Sequence, residues 1–254
     1  QNGLGGKEDQ LLKHAMSVTF GKNFEGKMYS NFKTKFWSLS EKTDTDLEKK
    51  LTDFCDAFDD MSIAMCEVFA RKSNRPFAGN HKRFVPSKSS NKSDLLKWQK
   101  NLGRAHGLLA DLSLRLDREG VFSTFILACY SKLNKTEIQK YLKILSNLEK
   151  TTFRVYQIST GRRETRTDLN KHEHAKKSME IYHGFEVTPE LNFLLKKKKK
   201  VPIRDITKWA IEYLCDFTVN QNRRTLISLY DTIMEGKHAY RLKWTRYFLY
   251  HWEL

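Results

Sequence analysis

The sequence predicts an all-α protein, an irregular bundle of roughly ten helices. Apolar residues recur at threes and fours along most of the 254 residues, the spacing that lines one face of a helix. No run of real length alternates apolar and polar residues as a half-buried strand does. Four prolines and twelve glycines leave room for long uninterrupted helices, because these residues interrupt them. With 39% hydrophobic and 12% aromatic residues the chain is too apolar to stay disordered, despite 30% charged residues. Its length allows one large domain or two small ones.

Residues 7–20 form the first predicted helix: Leu11, Leu12, Ala15, Met16 and Phe20 share a face, and Gly21 follows as a stop. Phe24, Met28, Phe32, Phe36 and Leu39 give a second, with Lys27, Lys33 and Lys35 off its apolar stripe. The clearest long helix is Asp44 to Arg71, held on one side by Leu47, Leu51, Phe54, Phe58, Met61, Met65, Val68 and Phe69. Its Asp53, Asp56, Asp59 and Asp60 read as a solvated acidic face. Residues 73–93 break the pattern: Pro76, Gly79, Pro86 and a Ser-Lys-Ser-Ser-Asn-Lys-Ser run have the composition of a long, basic, mobile loop. Its Arg75, His81, Lys82, Arg83, Lys88 and Lys92 either touch phosphate or are simply solvated. The chain therefore reads as one helical domain over residues 1–254, with two lobes, 1–72 and 94–254, as the alternative division.

Helix resumes from Asp94 to Arg118, with Leu95, Trp98, Leu102, Leu109, Leu112 and Leu116. Gly103 and Gly107 there mark a bend or close packing, and His106 reads as a core-edge residue. Val121 to Tyr130 is apolar enough for a central buried helix. Asn134 and Glu137 have the spacing of a capping box. The helix they start carries Ile138, Tyr141, Leu142, Leu145 and Leu148 and runs to about Tyr156, feeding Phe153 and Val155 into the core. Thr167 or Asp168 caps the next, through Tyr182, and Thr188-Pro189-Glu190 opens a short one. Pro202 restarts helix with Ile203, Ile206, Trp209, Ala210, Tyr213 and Phe217. Leu226, Ile227, Tyr230 and Ile233 make another, and Leu242, Tyr247, Phe248, Leu249 and Trp252 the last.

Charge narrows the function. The net charge is +16, but residues 1–60 balance to −2 and residues 61–254 to +18. Such asymmetry favours a polyanionic partner for the later part. Nucleic acid fits better than a membrane surface, since no helix pairs a basic face with a strongly apolar one. No apolar run approaches the roughly 18–20 residues of a membrane span. Cys55, Cys66, Cys129 and Cys215 lie far apart without C-x-x-C spacing, which predicts no metal and reduced, buried thiols in a cytoplasmic protein.

No complete catalytic motif is present. The densest concentration of arginine, histidine and aromatic residues is Leu148 to Tyr182. Arg162, Arg163, Arg166, Lys171, Lys176 and Lys177 there are candidate DNA-phosphate contacts, as are Lys196, Lys197, Lys198, Lys199 and Lys200. Those last five repel one another and read as an exposed loop or frayed helix end; phosphate contact, nuclear targeting and plain solvation all remain open. His172 and His174, two apart on a helix, point to different faces and make a poor metal pair. Arg166 and His172 have the spacing of the active-site signature of all-helical HEPN ribonucleases, although Arg75 and His81 repeat it inside a loop. Trp244-Thr245-Arg246-Tyr247 has aromatics beside arginine, which serve either base stacking or core packing.

One resemblance spans most of the chain. Leu148-Glu149, Phe153-Arg154-Val155-Tyr156-Gln157-Ile158 and Gly161-Arg162-Arg163, then Met179-Glu180-Ile181-Tyr182, resemble the helical region of GmrSD-like proteins. These are modification-dependent (type IV) restriction endonucleases acting against phage DNA. Lys243-Trp244, Arg246-Tyr247-Phe248-Leu249-Tyr250 and Glu253 resemble the segment before their HNH-type nuclease domain. Asn2, Gly5 and Asp9-Gln10-Leu11-Leu12-Lys13 resemble the exit from their nucleotide-binding domain. The family's Asp-Gly-Gln-Gln-Arg-like motif and its His-rich nuclease motif are absent from this sequence. The resemblance thus implies a middle helical domain that cuts nothing by itself. Its parent would be a nuclease that hydrolyses a nucleoside triphosphate and uses a divalent metal, with neither cofactor held here. The implied partners are DNA, modified phage DNA included, and the nucleotide-binding and nuclease domains of the same protein. The start at Gln1 without Met and the end at Leu254 without a polar tail fit a segment of a longer chain. Two other readings stand beside this one: a self-contained ribonuclease using Arg166 and His172, and a module whose basic surface meets an acidic protein.

Overall fold

A computed structural model describes residues 8–40, 44–69, 81–86, 91–112, 119–134, 136–152, 155, 164–187 and 200–223. Among them are eight α-helices and one two-stranded strip, so the protein is predominantly helical. The helices are α1 (Glu8–Phe20), α2 (Met28–Ser40), α3 (Asp44–Val68) and α4 (Lys92–Ala110), then α5 (Glu119–Lys132), α6 (Ile138–Thr152), α7 (Glu164–His183) and α8 (Ile206–Arg223). The predicted helices after Thr188 and beyond residue 223 lie outside the described residues. No helix among the described residues is long and apolar enough to cross a membrane.

The centre is α5. Phe122 and every residue from Phe125 to Tyr130 are buried, so the helix is covered all round, as its unbroken apolar run requires. Helices α3 and α7 pack on it, α1 bridges α3 and α7, and α6 lies between α4 and α8. Leu11 and Val18 of α1, Met61 and Val68 of α3, and Leu145, Ile181 and Leu214 join one core, so residues on both sides of the 73–93 segment share it. A second cluster is aromatic. Phe36 meets Phe54 at 5.6 Å and Phe20 at 5.5 Å, largely edge to face, the arrangement ring quadrupoles favour. Phe24, ahead of α2, is buried in the same cluster.

Several local readings shift. Within the predicted loop, Lys82–Phe84 forms a short 3-10 turn that buries His81 and Phe84. His81 adopts φ 41°, and its backbone N–H donates to the Glu67 carbonyl at 3.3 Å. That side chain is therefore a core residue, neither solvated nor available to phosphate. Helix α4 starts at Lys92, capped by the Asn91 side chain accepting from Asp94 N–H at 2.8 Å. A Cβ at Gly103 or Gly107 would meet nothing within 4 Å, so neither glycine serves close packing. The Glu137 carboxylate does reach back to Asn134 N–H at 2.7 Å, but α6 begins only at Ile138. Helix α7 starts at Glu164, ahead of the predicted caps.

Pro202 does not restart a helix. Lys200–Pro202 (β2) pairs antiparallel with Phe185–Val187 (β1), and α8 begins after Asp205, whose carboxylate accepts from Thr207 and Lys208 N–H. Strands of three residues are too short to show alternation. Only Cys129 of the four free thiols is buried; Cys55 and Cys215 are exposed on the outer faces of α3 and α8. Asp60 is not simply solvated either: it accepts from Tyr182 Oη at 2.9 Å and lies 3.8 Å from Lys132 Nζ.

The turn after α1 sets the direction of the segment that leads to α2. Gly21 takes φ +64°, and its N–H closes the helix on Ser17 O at 2.9 Å. An added Cβ would stand 2.8 Å from Met179 Sδ on α7. Gly21→Ala should cost about 1–2 kcal/mol from the left-handed backbone, plus repacking of Met179. Gly26→Ala, at φ +78° with open space around it, should cost only the backbone part. Urea midpoints of the two variants check the difference.

Candidate functional site

Gly21 turns the chain back along α7 and brings together residues 149 apart in sequence. Asn23 N–H donates to His172 Nδ1 at 3.3 Å. Asn23 Nδ2 donates to Glu25 Oε1 at 3.0 Å, and Lys171 Nζ donates to the same oxygen at 2.8 Å. Lys13 on α1 also lies in this field. Burial pulls its ammonium pKa down, Glu25 raises it, and the like charge of Lys171 lowers it again. Glu25 is held below the ordinary carboxylate range, first by its hydrogen bond from Lys171 and then by that from Asn23. The Lys171 ammonium thus meets the exposed Glu25 carboxylate, with the His172 imidazole on the neighbouring backbone N–H and Lys13 within the same field. Lys171 and Asn23 both donate to one carboxylate oxygen, the kind of acceptor a phosphate also presents.

The predicted candidates have different fates. Lys171 and His172 are in this cluster. Lys176 is half-buried, with its Cα facing Gly21. Lys177 is turned inward: it pairs with Glu180 Oε2 at 2.9 Å and sits 5.0 Å over the Trp209 ring. Lys200 is an exposed strand residue, with Nζ 5.6 Å over the Phe185 ring. Arg162, Arg163, Lys196, Lys197, Lys198 and Lys199 lie outside the described residues, as does Trp244-Thr245-Arg246-Tyr247. Arg166 is described only as a backbone position in the first turns of α7. Six residues along one continuous helix put positions 166 and 172 about 120° apart around the axis.

His174 points the other way from His172. It is buried, its Nδ1 lies 2.5 Å from Tyr213 Oη, and its ring packs on Phe122 at 4.3 Å and Phe217 at 4.8 Å. Burial lowers its pKa from 6.5 to about 3, so it is neutral in the fold. No group of three metal-ligating side chains occurs among the described residues.

Sequence reasoning missed Lys13, Asn23 and Glu25. All three come from the acidic-balanced first sixty residues, and only the Gly21 turn signalled that this segment folds back. It also missed a half-buried network around Glu67, whose Oε2 accepts from Tyr130 Oη at 2.6 Å and Arg83 N–H at 3.1 Å. The His81 ring packs edge-on to Tyr130 at 5.5 Å beside it. That hydroxyl is pushed well above its ordinary pKa by burial and by Glu67, and the network locks α3 to α5. No protein-family model, curated protein or solved structure matches this chain.

Proposed function

We propose that this chain is the helical middle domain of a modification-dependent restriction endonuclease, a scaffold that offers a basic surface to DNA phosphates. The observation that carries this reading is the pair of donors, Lys171 Nζ and Asn23 Nδ2, on one oxygen of the exposed Glu25 carboxylate, with Lys13 in the same field. Supporting it are the +18 balance after residue 60 and the resemblance of Leu148–Tyr182 to the helical region of GmrSD-like enzymes. Lysines on phosphates release condensed counterions, which gives affinity without reading sequence. Modification would be recognised, and strands cut, by other domains. Within this reading the work of the chain is to hold those domains in register on the duplex.

Replacing Lys13 and Lys171 together by alanine should weaken duplex binding at least tenfold near 100 mM salt. It should also flatten the dependence of log K on log salt by about two, at roughly 0.9 per phosphate contact. The same loss on unrelated duplex sequences is expected, because phosphate contacts carry no base information. Fluorescence anisotropy with labelled duplexes measures this. Metal-dependent DNA cleavage by the chain alone would refute the scaffold role, and RNA cleavage lost in His172→Ala would replace it with the ribonuclease reading.

A further inference from the structure

We propose that Glu25 is an internal stand-in for phosphate: it fills a single-oxyanion site made by the Lys171 ammonium and the Asn23 amide beside His172, and an incoming phosphate displaces it. This rests on the DNA-facing reading for the source of that phosphate, though the site itself is defined by geometry.

One oxygen, Glu25 Oε1, receives both the Lys171 ammonium at 2.8 Å and the Asn23 amide at 3.0 Å. A phosphate oxygen accepts the same two donors. The His172 Nδ1 accepts the Asn23 N–H at 3.3 Å and so fixes the loop that carries these donors. Charge also favours exchange. The charge of Lys171, which hydrogen-bonds the carboxylate, and that of the partly desolvated Lys13 repel each other. The Glu25 side chain is 55% exposed, so it leaves by rotation into water without opening the core.

The frame stays in place when the carboxylate swings away. Phe24 is buried in the aromatic cluster, and Asn31 Nδ2 holds the Glu25 carbonyl at 2.8 Å. The loop backbone is pinned on both sides of the carboxylate, so the donors remain preorganised. Glu25 thereby sets a threshold. It keeps two lysines from holding phosphate weakly and indiscriminately, and it yields where several phosphates arrive at once along a nucleic acid.

The test uses the full chain with Glu25→Gln, Lys171→Ala and the double variant. Anisotropy on a labelled duplex is one readout. The other is the His172 Cε1–H resonance during titration with inorganic phosphate. Glu25→Gln should tighten duplex binding about fivefold at 100 mM salt, the range a lost surface ion pair and its repulsion of phosphate allow. It should steepen the salt slope by about one, and the gain should disappear in the Lys171→Ala background. Wild-type duplex binding that Glu25→Gln leaves unchanged or weakens would overturn the stand-in while leaving the DNA reading intact. No duplex binding by either protein, with His172 still shifted by phosphate more strongly in Glu25→Gln, would support the site with free phosphate as its source and remove the DNA reading. No response to duplex or phosphate would remove both.

Discussion

Acidification from pH 6.5 to 4.5 should destabilise this protein by about 2.5 kcal/mol through His174 alone. The sign comes from its surroundings. The ring is 2% exposed and packs on Phe122, Phe217 and Tyr213, and such burial disfavours a charge. Burial lowers its folded pKa to about 3, against 6.5 for an ordinary histidine. Below pH 6.5 the unfolded chain takes up a proton that the folded chain refuses. The stability tied to the neutral ring is therefore complete above pH 6.5 and is lost progressively as the pH falls toward 3. His183, also lowered by burial, acts in the same direction, so the difference between wild type and variant is the informative quantity. Urea unfolding of wild type and His174→Gln at pH 6.5, 5.5 and 4.5 isolates it. The variant keeps a polar group for Tyr213 and should lose less stability on acidification by that same amount. Parallel curves would show that His174 is not what acid attacks.

Lys177→Ala should destabilise the fold by about 3 kcal/mol, because it strands a carboxylate in the interior. The Glu180 side chain is 0% exposed; its Oε2 is held by Lys177, and its Oε1 has no hydrogen-bond partner among the described residues. Lys177 is 19% exposed and also covers Trp209 and Tyr213 of α8, so the pair fastens α7 to α8. Removing both charges together, as Lys177→Met with Glu180→Leu, should recover most of the loss, since an apolar pair of similar volume replaces a buried ion pair at little cost. Urea midpoints for the two variants decide this. A Lys177→Ala protein as stable as wild type would mean that Glu180 finds water or another partner. The same variant should keep the salt slope of DNA binding, which separates this inward lysine from Lys171 six residues earlier.

The helices were legible where one face alone is apolar or where the whole run is. Met61, Met65 and Val68 of α3 and the run Phe125–Tyr130 of α5 are buried as their spacing predicts. Ends and exceptions were not legible. Leu51 and Leu95 are exposed despite fitting the stripes, because periodicity does not reveal how far a helix projects beyond its neighbours. His81 is in the core although it follows Gly79 and Asn80, because one left-handed residue and Phe84 turn that segment inward. Composition favours a loop there, and a tertiary contact overrides it. At the candidate site the sequence exposed α7's half, Lys171 and His172. The other half comes from α1 and the turn after it, and no local pattern predicts a pairing across 146 residues, such as Lys171 with Glu25. Lys177 shows the reverse: its type and neighbours suggest a phosphate contact, and only the position of Glu180 and Trp209 turns it inward.

The central claim is that this chain holds nucleic acid by its phosphates. Its most direct test is the affinity of the full 254-residue chain for an unmodified duplex, measured between about 50 and 200 mM salt. The account predicts a straight fall of log K against log salt with a slope of about −2 or steeper, independent of duplex sequence. No binding at the lowest salt, or an affinity that salt leaves unchanged, would contradict it.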